Sequence, residues 1–112
     1  MVAQFNHLDT IEQLDEVFTK SDEKPVLLFK HSLTCPISAD IYQEIKNVDG
    51  TVNLVVVQTA RDVASEIASK TGIRHESPQA IILKNGKPVY HASHYDISAA
   101  EVNAKLKTQN VG

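Results

Sequence analysis

The chain holds one cysteine, Cys35, and no tryptophan. A single thiol excludes an intramolecular disulfide, a zinc site of four cysteines, and a two-cysteine redox pair within the chain. No apolar run approaches the roughly 20 residues that a membrane-spanning helix needs. Met1–Asn6 has neither a basic flank nor a long apolar stretch, so no secretory signal is expected. A thiol-bearing chain without such a signal points to a reducing, cytoplasmic setting. Cationic residues are not in excess: 11 Lys and Arg stand against 14 Asp and Glu, a net charge of −3. No basic stripe is visible, so neither nucleic acid nor a membrane is an expected partner. Glycine and proline are also sparse, at four each. They leave no linker or low-complexity tract, and each one acts as local punctuation.

Hydrophobic residues make up 42% and charged residues 22% of 112 positions, enough for one domain spanning 1–112. A domain of this size buries roughly 60–70% of its unfolded surface and needs no disulfide or structural metal.

Apolar runs alternate with amphipathic stretches. Leu8, Ile11, Leu14, Val17 and Phe18 follow helical spacing behind an N-cap at Asp9 or Thr10. Pro25 opens Val26–Phe29, a continuous apolar run expected of a strand buried on both faces. Pro36 suits the first turn of a second helix running to about Asn47, with Ile37, Ile41 and Ile45 on one side. Asp49–Gly50 breaks it, and Leu54–Val57 reads as a second buried strand. A third helix from about Asp62 to Lys70 turns Val63, Ile67 and Ala68 inward and stops at Gly72. Ala80–Leu83 is a third strand, and Asn85–Gly86 is a two-residue hairpin signal leading into Val89–Ala92. Ser98 and Glu101 have the spacing of a capping box for a last helix that faces Ala99, Val102 and Leu106 inward. The order α-β-α-β-α-β-β-α predicts an α/β fold: a four-stranded mixed sheet with helices on both faces. Met1–His7 offers a further short edge strand that is not counted among the four.

Cys35 falls between the end of a buried strand and the start of a helix. Free N–H groups and the dipole at a helix N-terminus favour negative charge there. The thiolate is the nucleophilic form of cysteine. Pro36 fixes the first helical residue so that the sulfur is presented to solvent. A lone cysteine is otherwise commonly a small buried hydrophobe. Ser38 stands where a two-cysteine oxidoreductase would carry its resolving thiol. A serine cannot resolve a mixed disulfide, but it can donate to the Cys35 thiolate or cap the helix. Catalysis would then be monothiol, with the second thiol supplied from solution.

His31, His75, His91 and His94 raise the question of a metal. His91 and His94 are three apart in an expected strand, so they face opposite sides unless the strand ends between them. No metal site is expected, since ordinary sites gather four ligands. His31 would either assist Cys35 as a nearby charge or simply end its strand. Lys30, Arg61 and Arg74 are the cations expected nearest the site, Lys30 and Arg74 being the candidate anion-binding residues; Arg61 reads more simply as a solvated surface charge.

The architecture and the position of Cys35 resemble a thioredoxin fold, most closely through Thr71-Gly72-Ile73-Arg74, Ser77-Pro78-Gln79 and Leu83-Lys84-Asn85-Gly86-Lys87. That resemblance implies that Pro78 is cis, lies against Cys35, and leaves Ser77 to offer backbone groups to substrate. The chain departs from thioredoxins in having Cys35-Pro36-Ile37-Ser38 in place of a two-cysteine motif. Three runs are similar to the monothiol bacilliredoxin family: Phe29-Lys30-His31-Ser32 with Thr34-Cys35-Pro36-Ile37-Ser38, then His75–Ala80, then His91–Ile97. This resemblance spans about Leu8 to Leu106. It implies a thiol-disulfide oxidoreductase in which the Cys35 thiolate removes bacillithiol from mixed disulfides on cytosolic proteins. Thr34, Pro36, Ser38, Ser77 and Pro78 would contact substrate. No cofactor is held; bacillithiol is the thiol co-substrate, and free bacillithiol or another bacilliredoxin restores Cys35. Two other readings remain open: a binding or redox-sensing module whose Cys35 adduct turns over slowly, and cluster or metal binding through Cys35 with external thiols.

Overall fold

The structure is a computed structural model that describes residues 3–110. Five strands and four helices follow one another: β1 Ala3–His7, α1 Ile11–Lys20, β2 Val26–His31, α2 Pro36–Ile45, β3 Gly50–Val56, α3 Arg61–Thr71, β4 Gln79–Lys84, β5 Lys87–Ser93 and α4 Ala99–Gln109, with a short 3₁₀ turn at His94–Asp96 before α4. The sheet order is β1-β3-β2-β4-β5. β1, β3 and β2 run parallel, whereas β4 is antiparallel to β2 and to β5.

The expected mixed sheet is therefore present, with five strands instead of four. The added strand is β1, within the Met1–His7 stretch; Met1 and Val2 lie outside the described residues. The sequence offered this edge strand without counting it among the four, because its slight and intermittent burial leaves only a weak pattern. It holds by its ladder to β3, from Ala3 opposite Gly50 to His7 opposite Leu54. β3 likewise starts earlier than expected, at Gly50. Asn53 interrupts its apolar run, but its buried amide is satisfied: it accepts from Asn6 at 2.9 Å and donates to the Leu27 carbonyl at 3.0 Å. A buried polar group in a strand costs little once both its ends are bonded.

Local signals explain most boundaries. Thr10 caps α1 by accepting from Gln13 N–H, and the Gln13 side chain returns to the Thr10 and Asp9 amides. Gly72, at φ +72°, ends α3 in the left-handed conformation. Asn85 and Gly86, at φ 55° and 73°, form the expected tight turn. Three expectations are corrected. α2 ends at Ile45, not near Asn47. Ala64 lies in the core while Ala68 is half-buried. Ser98 caps α4 by accepting from Glu101 N–H, but the Glu101 carboxylate binds the Tyr90 hydroxyl, so the box is half made.

Strand alternation divides the core. Val26, Leu28, Val55, Ile81 and Leu83 face α1 and α3, where they meet Leu14, Val17, Val63 and Ile67. Leu27, Phe29, Val52, Leu54, Ala80 and Ile82 face α2 and α4, where they meet Ile41, Ile45 and Val102. Each of these side chains larger than alanine contributes roughly 1.5–3 kcal/mol by leaving water. This two-sided packing fixes β2 rigidly, and the residues at its C-terminal end carry the site.

Candidate functional site

β2 ends at His31, and the chain turns through Ser32, Leu33 and Thr34 to reach Cys35. Cys35 is the N-cap of α2, in an extended conformation, with Pro36 in the first turn. Its carbonyl accepts the first helical bond, from Ala39 N–H at 3.1 Å. Its side chain makes no capping bond and is partly exposed. The sulfur is thus accessible, beside first-turn amides that stabilise negative charge.

The turn is held from three sides. Ser38 is fully buried, and its hydroxyl accepts from Ser32 N–H and faces His31 Nδ1, both at 2.9 Å. Gln58, in the turn after β3, donates to Ser32 Oγ at 2.9 Å and to Thr34 Oγ1 at 3.3 Å, and accepts from Leu33 N–H at 3.0 Å. Ser38 therefore serves the turn; its hydroxyl is not turned to substrate. Thr34 and Pro36 are exposed beside the sulfur. His31 is buried between Phe29 and Tyr42, with the Tyr42 ring centroid 4.8 Å away. Burial holds its pKa below 6.5, so it is neutral near pH 7 and supplies no cation to Cys35.

The Ser77–Pro78 bond is cis. Lys30 pairs with Gln79, which sets Pro78 one step further along, level with the end of β2. Pro78 is buried and Ser77 half-buried. The Pro78 carbonyl accepts from His94 N–H at 2.9 Å. This bond fixes the turn that carries Tyr95. Tyr95 is 64% exposed, and its hydroxyl donates to Asp40 of α2 at 2.8 Å. That bond raises the Tyr95 pKa, followed by desolvation and by the charges of Asp40 and Cys35. Tyr95 is thus a wall of the Cys35 site that sequence reasoning missed, although it lies within the His91–Ile97 run. Gln58 carried no sequence signal at all.

The two candidate anion-binding residues separate. Lys30 is fully buried in β2, and its ammonium reaches His75 Nδ1 at 3.0 Å. Expected as a candidate anion-binding residue beside the site, Lys30 instead has its side chain in the core, on the α1/α3 face of β2. Desolvation lowers the Lys30 pKa from 10.5 to about 8, against an opposing pull from Glu76. Arg74 is exposed on the loop before Pro78, and its carbonyl accepts from Gln79 Nε2 at 3.1 Å. Arg61 is exposed at the start of α3. β5 ends at Ser93, between His91 and His94. Among the described residues no three His, Cys, Asp or Glu gather into a metal-binding group.

The sequence matches the profile described as monothiol bacilliredoxin BrxC over residues 6–102. Among solved structures, a candidate oxidoreductase with a thioredoxin fold is 36% identical, with a TM-score of 0.81 over 92% of this chain and 93% of that one. Thioredoxin from Nicotiana alata superposes at a TM-score of 0.72 with 18% identity, covering 99% of this chain and 96% of that one. Thioredoxin from Malassezia sympodialis does so at 0.70 with 17% identity, covering 99% and 92%. These last two likenesses are to the fold alone.

Proposed function

The chain belongs to the monothiol bacilliredoxin family, and on that premise we propose that it removes bacillithiol from mixed disulfides on cytoplasmic proteins. The supporting observation is the placement of Cys35: a partly exposed thiol at the N-cap of α2, on the turn that follows the end of β2, the strand end beside which the cis Ser77–Pro78 bond lies.

The Cys35 thiolate attacks the bacillithiol sulfur of the client's mixed disulfide. A Cys35–bacillithiol disulfide forms, the client S–S bond breaks, and the client leaves as a thiolate. A second bacillithiol thiolate then attacks the adduct, giving oxidised bacillithiol dimer and free Cys35 thiolate. Two electrons pass from the bacillithiol pool to the client, and the protein is unchanged. The rate follows the thiolate fraction, the access to the sulfur and the leaving group's pKa. Ser77 and Pro78 align the sulfurs, Thr34 and Pro36 border them, and the α2 N-terminus holds the developing charge.

The test incubates reduced protein with a bacillithiol-modified client and follows both by intact mass, with Cys35→Ser alongside. Client release, an adduct on Cys35 and many turnovers with added bacillithiol are expected. Arrest near one equivalent would favour a sensing or binding module instead. An absent adduct, or release by Cys35→Ser at the wild-type rate, would overturn the proposal.

A further inference from the structure

Lys30 is a buried titratable group that the exchange reaction leaves unused. Its side chain is fully out of solvent, on the side of β2 that faces α1 and α3. It stays charged at pH 7: burial lowers its pKa to about 8, against a weaker pull from Glu76. The helix residues packed on that side, Leu14, Val17, Val63 and Ile67, are apolar and leave the charge unmatched. Burying an ammonium among such groups is costly, and a methionine would fill the same space. What distinguishes the ammonium is what it holds.

It stands against the segment that carries the cis bond, at both of its ends. Before Pro78, Lys30 Nζ donates to His75 Nδ1 at 3.0 Å. An ammonium has donors only, so Nδ1 is the acceptor and the ring proton of neutral His75 resides on Nε2. Among the described residues this is the one side-chain hydrogen bond of His75. Its ring otherwise lines a cleft of about 290 Å³ with Arg61, Ala64, Ser65 and Ala68, whose alanines offer contact but no direction. The ammonium therefore orients the ring, and the ring ties down the backbone three residues before Pro78. After Pro78, Gln79 is opposite Lys30 in the antiparallel ladder, which puts both side chains on one face. Gln79 is buried, and its Nε2 reaches the Arg74 carbonyl at 3.1 Å and Ser93 Oγ at 3.3 Å. Ser93 in turn bonds Glu76. Gln79 Oε1 is buried and, among the described residues, accepts from no donor. Buried amide oxygens are rarely left so. Lys30 keeps two hydrogens that His75 does not take, and one buried water suffices to join such a pair.

We propose that Lys30 is a positioning residue of the exchange reaction: through His75 and Gln79, its buried ammonium holds residues 75–79 so that the Ser77–Pro78 bond keeps its place beside the Cys35 turn. This rests on the reaction proposed above and adds to it a residue that never touches substrate.

The test compares Lys30→Met with wild type. The variant should fold, with a denaturant midpoint at pH 7 no lower than that of wild type. Disulfide exchange needs three sulfurs in line, and a small displacement of the aligning segment costs rate at the transition state. Client release should fall about tenfold in kcat, with KM changed by less than about twofold. Alkylation of Cys35 by iodoacetamide, which needs no alignment by Pro78, should keep the wild-type rate. Amide hydrogen exchange at Ser77 and Gln79 should quicken, while that of β3 should not. An unchanged kcat overturns the proposal, as does a rise in KM alone. Alkylation slowed in step with release places the effect on the thiol and overturns it too. A variant that fails to fold makes Lys30 structural, with the same consequence. A second variant, His75→Gln, keeps an acceptor for the ammonium and should stay within about threefold of wild type. Added to Lys30→Met it should cost nothing more, since the two act in series; an additive loss overturns the route through His75. If the wild type itself releases no client, the exchange reaction falls, and the amide exchange of Ser77 and Gln79 still decides whether Lys30 holds the segment.

Discussion

Lys30 and His31 are consecutive, both buried and both polar, yet β2 points them to opposite faces of the sheet. His31 looks toward α2 and α4 and faces the hydroxyl of Ser38, which holds the Cys35 turn. Lys30 looks toward α1 and α3 and bonds His75, on the loop that leads to Pro78. One strand end thus anchors both segments that frame the sulfur. The two anchors differ in kind. His31 is neutral, stacked between rings and satisfied by a hydroxyl, so it serves stability. Lys30 keeps a charge in the core, bonds one neutral ring and gains from Glu76 less than burial takes away, so it costs stability. A residue that costs stability and is not needed for packing is the better candidate for function.

The largest expected effect separates the anchors by sign. Lys30→Met keeps the volume and removes the buried ammonium, leaving no orphaned charge on His75. It should stabilise the protein at pH 7 by about 2–3 kcal/mol, read from denaturant midpoints. Destabilisation would show that Lys30 is structural. Ser38→Ala should act oppositely and cost about 1–3 kcal/mol, because the buried Ser32 N–H loses its acceptor. It should also slow exchange by loosening the Cys35 turn.

The pH dependence sharpens the same contrast. The Lys30 pKa is lowered in the folded state, so the unfolded chain holds more protons between about pH 8 and 10.5. Wild-type stability should therefore rise relative to Lys30→Met across that window. The His31 pKa is also lowered, so its contribution is present above pH 6.5 and is lost as the pH falls below that value. Urea titrations of both proteins from pH 5 to 10.5 check both signs. The smallest effect is expected at Tyr95. Tyr95→Phe removes one exposed hydrogen bond to Asp40 and should cost under about 1 kcal/mol. If the Tyr95 ring borders the bound client, Tyr95→Ala should raise the KM for client severalfold more than Tyr95→Phe does.

The family and the central cysteine were legible because both are local: a strand, a turn, Cys35-Pro36 and a helix are contiguous in sequence. The helices and hairpin were legible for the same reason, through Gly72, Asn85–Gly86 and the period of Val63 and Ile67. β1 was legible only as an uncounted edge strand within Met1–His7, because a strand with one ladder and little burial has a weak pattern of its own. Ser38 was placed near the sulfur by spacing alone, and its hydroxyl turned out to face inward. Tyr95 stood in a quoted run but showed its use only when the His94–Pro78 bond carried it to α2.

By itself, then, the sequence determined an α/β fold built around one thiol at a helix start. Those features depend on residues within a turn or two of each other. Tertiary structure alone decided that Lys30 is a buried charge and not a surface one, that His75 receives it, and that Arg61 shares a cleft with that imidazole. Such partners lie up to 45 residues apart. They meet only because the parallel and antiparallel ladders set β2 beside β3 and β4, and no local pattern encodes that register.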